Sequence, residues 1–165
     1  MEDWTKYVDS YGPDGIEIGN IWTRDGVLQK IAHDLACLIG TTDFDAVATA
    51  ETKGIIYAAP VAADMGKPLL VFRKRNRIIH TDKKYTDGFV NWKQEEDGLE
   101  IEMEALALPR NIIFIDDMVH RLSTIQSVHR ICGRTGCRIV KHVCFANISG
   151  QTGYHGAGIL SLIHT

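Results

Sequence analysis

Residues 111–117 read Asn-Ile-Ile-Phe-Ile-Asp-Asp, an apolar run that ends on two adjacent carboxylates. A run of β-branched and aromatic residues without polar alternation marks a strand covered on both faces. Such strands lie in the parallel centre of a sheet flanked by helices. Asp116 and Asp117 then fall at the strand's C-terminal end. Open α/β sheets bind ligands beyond the carboxyl ends of their strands, so this one stretch constrains both the architecture and the place of the site.

The remaining segments alternate as that architecture requires. Val27, Leu28, Ile31, Ala32, Leu35, Leu38 and Ile39 recur at helical spacing and predict an amphipathic helix over 24–39, stopped by Gly40. A short strand over 45–50, a tight loop of Glu51, Thr52, Lys53 and Gly54, a small-residue helix over 55–65 and a strand over 68–72 follow. That strand runs into the cationic stretch Arg73, Lys74, Arg75, Asn76 and Arg77. Residues 74–98 are polar and aperiodic, which predicts a long loop or hairpin. Leu99 to Met103 alternates apolar and acidic residues, as a half-exposed strand does. A helix over 123–132, a strand over 137–145 and a closing strand over 159–164 complete the series. The predicted fold class is α/β, a doubly wound and mostly parallel central sheet flanked by helices, in one domain over 1–165. No internal repeat or low-complexity linker interrupts it.

With 165 residues, 45% of them apolar, the chain can bury one substantial core. A net charge of −3 speaks against nucleic-acid binding driven by overall charge, so any anion site must be local. The sequence lacks a basic-plus-apolar leader and any apolar run near the about 20 residues of a bilayer span. It predicts a soluble, cytoplasmic protein without a membrane partner. Cys37, Cys132, Cys137 and Cys144 are too few and irregular for a disulfide scaffold and are read as reduced thiols. His129, Cys132, Cys137 and His142 have a spacing that resembles a compact zinc site. A helix carrying the first pair and a strand carrying the second would scatter those ligands, and buried thiols explain the cysteines as well.

Three loops at strand ends carry chemistry: Glu51 to Gly54, Arg73 to Arg75, and Asp116 with Asp117. Ammonium and guanidinium groups bind phosphate, and carboxylates accept hydrogen bonds from a diol. Together they suit a sugar phosphate. Each group also has a plainer reading. Asp116 or Asp117 can cap a helix, Arg73 to Arg77 can be a solvated sheet edge, and Glu95 to Asp97 can be an exposed acidic loop.

The order of these segments resembles the type I phosphoribosyltransferase family along nearly the whole chain, most of all its adenine-directed members. "DAVATAETKGIIYAAPVAADMGKPLLVFRKR" is similar to the family's strand, pyrophosphate loop, helix, strand and basic exit. "IIFIDD" is similar to its signature strand, "EEDGLEIEMEAL" to its Glu-Tyr-Gly catalytic loop and the strand after it, and "ILSLIHT" to its closing strand. "GIEIGNIWT" loosely resembles the small N-terminal hood. The resemblance implies transfer of ribose 5-phosphate from 5-phosphoribosyl-1-pyrophosphate to a purine nitrogen, with Mg2+ carried mainly by the substrate and pyrophosphate released. It implies ribose hydroxyls on Asp116 and Asp117, and pyrophosphate on Glu51, Thr52, Lys53 and Gly54 with charge added by Arg73, Lys74 and Arg75. It also implies the 5-phosphate at His120 to Thr124, Glu96 as the catalytic proton carrier, a flexible lid within 74–98 and a homodimer.

Where the family has an Ala-Thr-Gly-Gly-Thr turn, this chain has His120, Arg121, Leu122, Ser123 and Thr124. A left-handed Leu122 would cost about 1–2 kcal/mol, and its side chain would fill space meant for phosphate. Arg121, Ser123 and Thr124 keep groups that bind phosphate from side chains. Lys53 replaces a forked guanidinium by a point charge, and the catalytic loop is shortened between Gly98 and Leu99. Trp22 and Phe89 either stack on a base or pack in the core, and His120 is either a switchable base or an exposed loop residue. The alternative to an enzyme is a non-catalytic nucleotide or sugar-phosphate sensor on the same scaffold.

Overall fold

The computed structural model describes residues 1–12, 15–18, 21–91 and 94–164. Gly19 and Asn20 of the hood stretch, Trp92 and Lys93 of the lid stretch, and Thr165 of the closing segment lie outside the described residues. The chain opens with a 3-10 turn at Trp4–Tyr7 and the two-stranded β1 (Ser10–Gly12) and β2 (Gly15–Glu17). Next come a second 3-10 turn at Ile21–Thr23 and α1 (Val27–Ile39). The helix starts three residues after its predicted start because Gly26 is left-handed, at φ +70°, a conformation that breaks the helix before Val27.

From β3 (Ala46–Ala50) the chain passes through α2 (Gly54–Asp64) to β4 (Leu69–Lys74). It continues into β5 (Lys84–Val90), β6 (Glu96–Glu102) and β7 (Asn111–Val119). Helix α3 (Ser123–Gly133), β8 (Arg138–Asn147), β9 (Gly153–Tyr154) and β10 (Ala157–His164) complete it. The main sheet has the order β5-β6-β4-β3-β7-β8-β10-β9. Its centre, from β4 to β10, is parallel, and antiparallel strands close both edges. This is the expected α/β architecture.

The side-chain period of 2 along β7 explains the two-sided burial. Ile113 and Ile115 pack with Ile31, Leu35 and Ile39 of α1 and Tyr57 and Val61 of α2. Ile112 and Phe114 pack with Ile125, Val128 and Ile131 of α3. Each such side chain, fully buried, contributes about 1.5–3 kcal/mol. The strand also runs further than the apolar stretch predicted. Asp116 pairs with Cys144, Met118 with Ala146 and Val119 with Asn147, so both acids sit in a hydrogen-bonded strand and not in the loop after it. Backbone pairing with β8 continues after the apolar run has ended, and hydropathy alone does not register it.

The polar 74–98 stretch contains a strand. Across the β5–β6 hairpin, Tyr85 faces Ile101, Asp87 faces Leu99 and Phe89 faces Asp97. Arg130 of α3 grips Asp87 with contacts of 2.7, 3.0 and 3.1 Å, and Arg134 donates to the Thr86 carbonyl at 2.9 Å, so the hairpin is tied to the helix beside it. The alternation in 99–103 had predicted outward acids. Glu100 is instead 1% exposed, covered by the strap over 75–83 that folds across β6. Its carboxylate accepts from the Ile78 N–H and lies 2.9 Å from Lys84 Nζ.

The four cysteines carry no disulfide. The zinc-like spacing pairs off two by two. His129 Nε2 lies 3.0 Å from His142 Nε2, and Cys132 and Cys137 meet each other at the far end of α3. Among the described residues no three such side chains converge.

The Glu100 pair yields a stability prediction. Burial pushes the Glu100 carboxyl up, but the Ile78 N–H and Lys84 outweigh it and hold the group below its ordinary value. A lowered carboxyl stabilises the fold above its unfolded value of 4.5 and loses that contribution as pH falls through the folded value. Lys84→Met is expected to cost about 2 kcal/mol, less than the roughly 3–5 kcal/mol of an enclosed pair because Lys84 keeps 21% of its side chain in solvent. At pH 7 that lowers the melting temperature by roughly 5 °C. In urea titrations the deficit of Glu100→Gln should narrow once the pH drops below 4.5.

Candidate functional site

The C-terminal ends of β3, β4 and β7 and the inner face of the hairpin enclose a cleft of about 450 Å³. From the predicted set, Glu51, Thr52, Lys53, Lys74, Asp116, Asp117, His120, Arg121 and Thr124 line it. The three loops that the sequence singled out therefore share one cavity.

Its floor is the pair of aspartates. The Asp117 N–H donates to Asp116 Oδ1 at 2.9 Å, which fixes the first carboxylate against the backbone of the second. Burial raises the Asp116 carboxyl well above its ordinary value, and the neighbouring charge of Asp117 raises it further. Two adjacent acids in a half-enclosed cleft do not both ionise freely. A proton, or a ligand hydroxyl that donates a hydrogen bond, relieves them.

Gly54 begins α2 directly against this floor. A Cβ built on it would stand 2.8 Å from Asp116 Oδ1 and against Thr49 Oγ1, a buried hydroxyl on β3. Only a residue without a side chain lets the helix approach so closely. Gly54 thus shapes the site from behind without lining it.

The pyrophosphate-loop residues divide their work. Glu51 faces the cleft, but its carboxylate accepts from the Lys74 N–H at 2.9 Å and lies 3.4 Å from Arg73 Nε. The Lys74 N–H is the largest influence holding that carboxyl below its ordinary range, with Arg73 adding to it. Arg73 is therefore turned toward Glu51 and does not line the cleft. Lys53, Lys74 and Arg121 line it without an ion-pair partner among the described residues. Arg75 lies across Gly98, where a built Cβ would come within 3.3 Å of its Cδ. With Asn76, Glu96 and Asp97 it lines a separate hollow of about 250 Å³. Glu96 lines that hollow and not the cleft.

The altered turn after β7 corrects the expectation of strain and obstruction. Leu122 has φ −78° and ψ 5°, which is not left-handed, and its side chain packs against the core on the α3 side. It neither stores strain nor fills the cleft. Apolar packing of Leu122 replaces the freedom that glycine would supply, and Leu122 at the N-cap makes no side-chain hydrogen bond to the start of α3. Ser123 begins the helix but is not among the lining residues, whereas Thr124 is.

Sequence reasoning missed the hairpin wall: Asn91, Glu95, Asp97 and Leu99 all line the cleft, as does Phe89, which had been weighed as a base-stacking ring. Glu95, Asp97 and Leu99 fall at every second residue, and that period was the available signal. Trp22, the other candidate ring, packs edge-on against buried Tyr57 with centroids 6.3 Å apart.

The carboxylate pair sets a prediction. A raised carboxyl favours the protonated folded state, so stability is lost as pH rises from the unfolded value of 3.8 through the folded one. Asp116→Asn keeps an oxygen for the Asp117 N–H and removes the charge. Scanning calorimetry at pH 7.5 should find it more stable than wild type by a few degrees, about 1 kcal/mol or more, and the gain should vanish near pH 3.5. Equal melting temperatures at pH 7.5 would show that the acids are relaxed in the free protein.

No protein-family model matches the chain. Adenine phosphoribosyltransferase of Petrotoga mobilis is 23% identical over 152 residues, spanning 90% of this chain and 86% of the relative. That of Caldicellulosiruptor saccharolyticus is 28% identical over 145 residues, spanning 85% and 80%. Among solved structures, adenine phosphoribosyltransferase from Thermoanaerobacter pseudethanolicus superposes with a TM-score of 0.85 at 19% identity, covering 98% of each chain. The enzyme from Trypanosoma brucei, in complex with AMP, pyrophosphate and ribose-5-phosphate, gives 0.76 at 14% identity over 96% of this chain and 74% of its own. The chain therefore has the fold of adenine phosphoribosyltransferases of known structure and is similar in sequence to enzymes of that name along most of its length.

Proposed function

We propose that the protein transfers ribose 5-phosphate from phosphoribosyl pyrophosphate to a purine-type base and releases pyrophosphate, with residues 1–165 acting as one unit. The observation that carries this reading is the joining of Asp116 and Asp117 in one cleft with Lys53, Lys74 and Arg121, three cations without an ion-pair partner among the described residues. In it, the two aspartates accept from the ribose 2- and 3-hydroxyls, which also relieves their mutual repulsion. Lys53 and Lys74, without carboxylate partners among the described residues, meet the pyrophosphate as point charges. Glu51 and Arg73 hold the loop to the end of β4, and Gly54 lets α2 approach the acids. Arg121, Thr124 and the backbone N–H groups at the start of α3 bind the 5-phosphate, with His120 beside them.

The donor set of the floor fits Mg2+, a hard cation that takes carboxylate and phosphate oxygens and keeps several waters. Asp116 and Asp117 are the groups that would meet it, and it would neutralise charge on the leaving pyrophosphate. The reaction forms a bond from a base nitrogen to the ribose C1 while the bond from C1 to the pyrophosphate oxygen breaks, with the electron pair leaving on pyrophosphate. The cationic sugar in between requires exclusion of water. The hairpin wall, with Phe89 and Leu99, supplies apolar cover on that side.

The absence of glycines is the ground for a non-catalytic sensor, and the packing of Leu122 against the core weakens it. The test is direct. With magnesium, phosphoribosyl pyrophosphate and a panel of purine and pyrimidine bases, pyrophosphate release is expected with at least one purine. Asp117→Asn and Lys53→Ala should each lower kcat/KM by about 100-fold, the loss of a charged contact made to the transition state. Silence across the whole panel, with the protein folded, removes the transferase reading.

A further inference from the structure

The β5–β6 hairpin has a short hold on the sheet. Among the described residues β6 pairs with β4 at Arg73 to Glu100 and Lys74 to Leu99, and the Arg75 N–H donates to the Gly98 carbonyl at 2.9 Å. Phe89, Asn91, Glu95 and Asp97, which line the cleft, lie beyond that ladder. Two antiparallel strands alone are marginally stable in water, so the cleft end of the hairpin needs another support. Helix α3 supplies it. The period of 2 along β5 turns Tyr85, Asp87 and Phe89 to one face. Tyr85 and Phe89 pack against the core on the α3 side, and Asp87 between them takes the three contacts from Arg130, at 2.7, 3.0 and 3.1 Å. One turn further on, Arg134 donates to the Thr86 carbonyl at 2.9 Å and sets its guanidinium 5.1 Å from the centre of the Tyr85 ring. A forked guanidinium on a carboxylate fixes direction as well as distance.

Building on the transferase reading, we infer that Arg130 is a positioning residue: through Asp87 it latches the hairpin to α3 and makes it a standing wall that keeps water from the reacting sugar carbon, in place of the flexible lid that the sequence resemblance implies. The same helix reaches the cleft at its other end through Thr124. Residues 124 and 130 stand about 9 Å apart along the helix axis, so the phosphate end and the wall are carried by one rigid element. Two nucleophiles compete for the ribose C1 as the pyrophosphate oxygen leaves with its electron pair. A base nitrogen bonded to C1 gives the nucleotide. Water admitted by a displaced wall forms its own bond from oxygen to C1, loses a proton to solvent and gives ribose 5-phosphate. Arg130 touches neither nucleophile and acts on the partition between them through Phe89 and Leu99.

Arg130→Met keeps the aliphatic stem and removes the fork. With magnesium, phosphoribosyl pyrophosphate and the purine that supports wild-type turnover, it should lower kcat for transfer by about 10-fold, leave KM for phosphoribosyl pyrophosphate within about threefold, and raise the ratio of ribose 5-phosphate to nucleotide by about 10-fold. Asp87→Asn should do the same, and the double variant should be no worse than either single one, as expected of a shared contact. Lys84→Met, which loosens the strap side of the hairpin, should melt earlier yet keep the wild-type product ratio. In the free protein, hydrogen exchange of the amides of 85–90 should be about 10-fold faster in Arg130→Met than in wild type, with β8 unchanged. Hairpin amides that exchange equally fast in both proteins, or an unchanged product ratio in Arg130→Met, overturn the latch and leave the transferase reading standing. A folded wild-type protein that turns over no base removes the transferase reading, and the exchange comparison then decides the latch by itself.

Discussion

Strand β7 is buried on both faces as far as Ile115 and stays hydrogen-bonded to β8 through Val119, and that continuity governs the rest of the structure. It holds Asp116 and Asp117 in adjacent strand positions, where neither backbone can swing away to relieve the repulsion. The raised carboxyl of Asp116 records the cost. Stability is surrendered at the point where a ligand rich in hydroxyls would recover it, a trade common at functional sites.

Around that floor, the protein neutralises some charges and leaves others open. Glu51 is occupied by the Lys74 N–H and Arg73, Glu100 by Ile78 and Lys84, and Asp87 by Arg130. Those pairs set the geometry of a loop, a strap and a hairpin. Lys53, Lys74 and Arg121 remain without carboxylate partners among the described residues and face the cleft. A cation whose charge the fold has not already satisfied is available to an anionic ligand, and this division separates the open charges from those that set the geometry.

The turn from β7 into α3 shows how one backbone task is met by another residue type. The sequence resemblance predicts glycines in that turn. Here Leu122, at φ −78° and ψ 5°, anchors in the core on the α3 side, while Arg121 and Thr124 reach the cleft. The change substitutes apolar packing for backbone freedom and adds a guanidinium to the rim.

The alternation of apolar strands and amphipathic helices, the burial of β7, and the gathering of Glu51 to Lys53, Lys74, Asp116 and Asp117 at strand ends were legible in the sequence, because periodicity and the apolar run are local properties. Tertiary structure alone decided the facing of the hairpin. Residues 95–102 alternate acids on both parities, so hydropathy assigns neither face. The strap over Glu100, the pairing with β5 and the contact from Arg130 fix which parity meets the cleft. The same holds for Leu122, whose direction depends on a core formed by residues distant in sequence, and for Gly54, whose necessity appears only once β3 and β7 bring Thr49 and Asp116 against it.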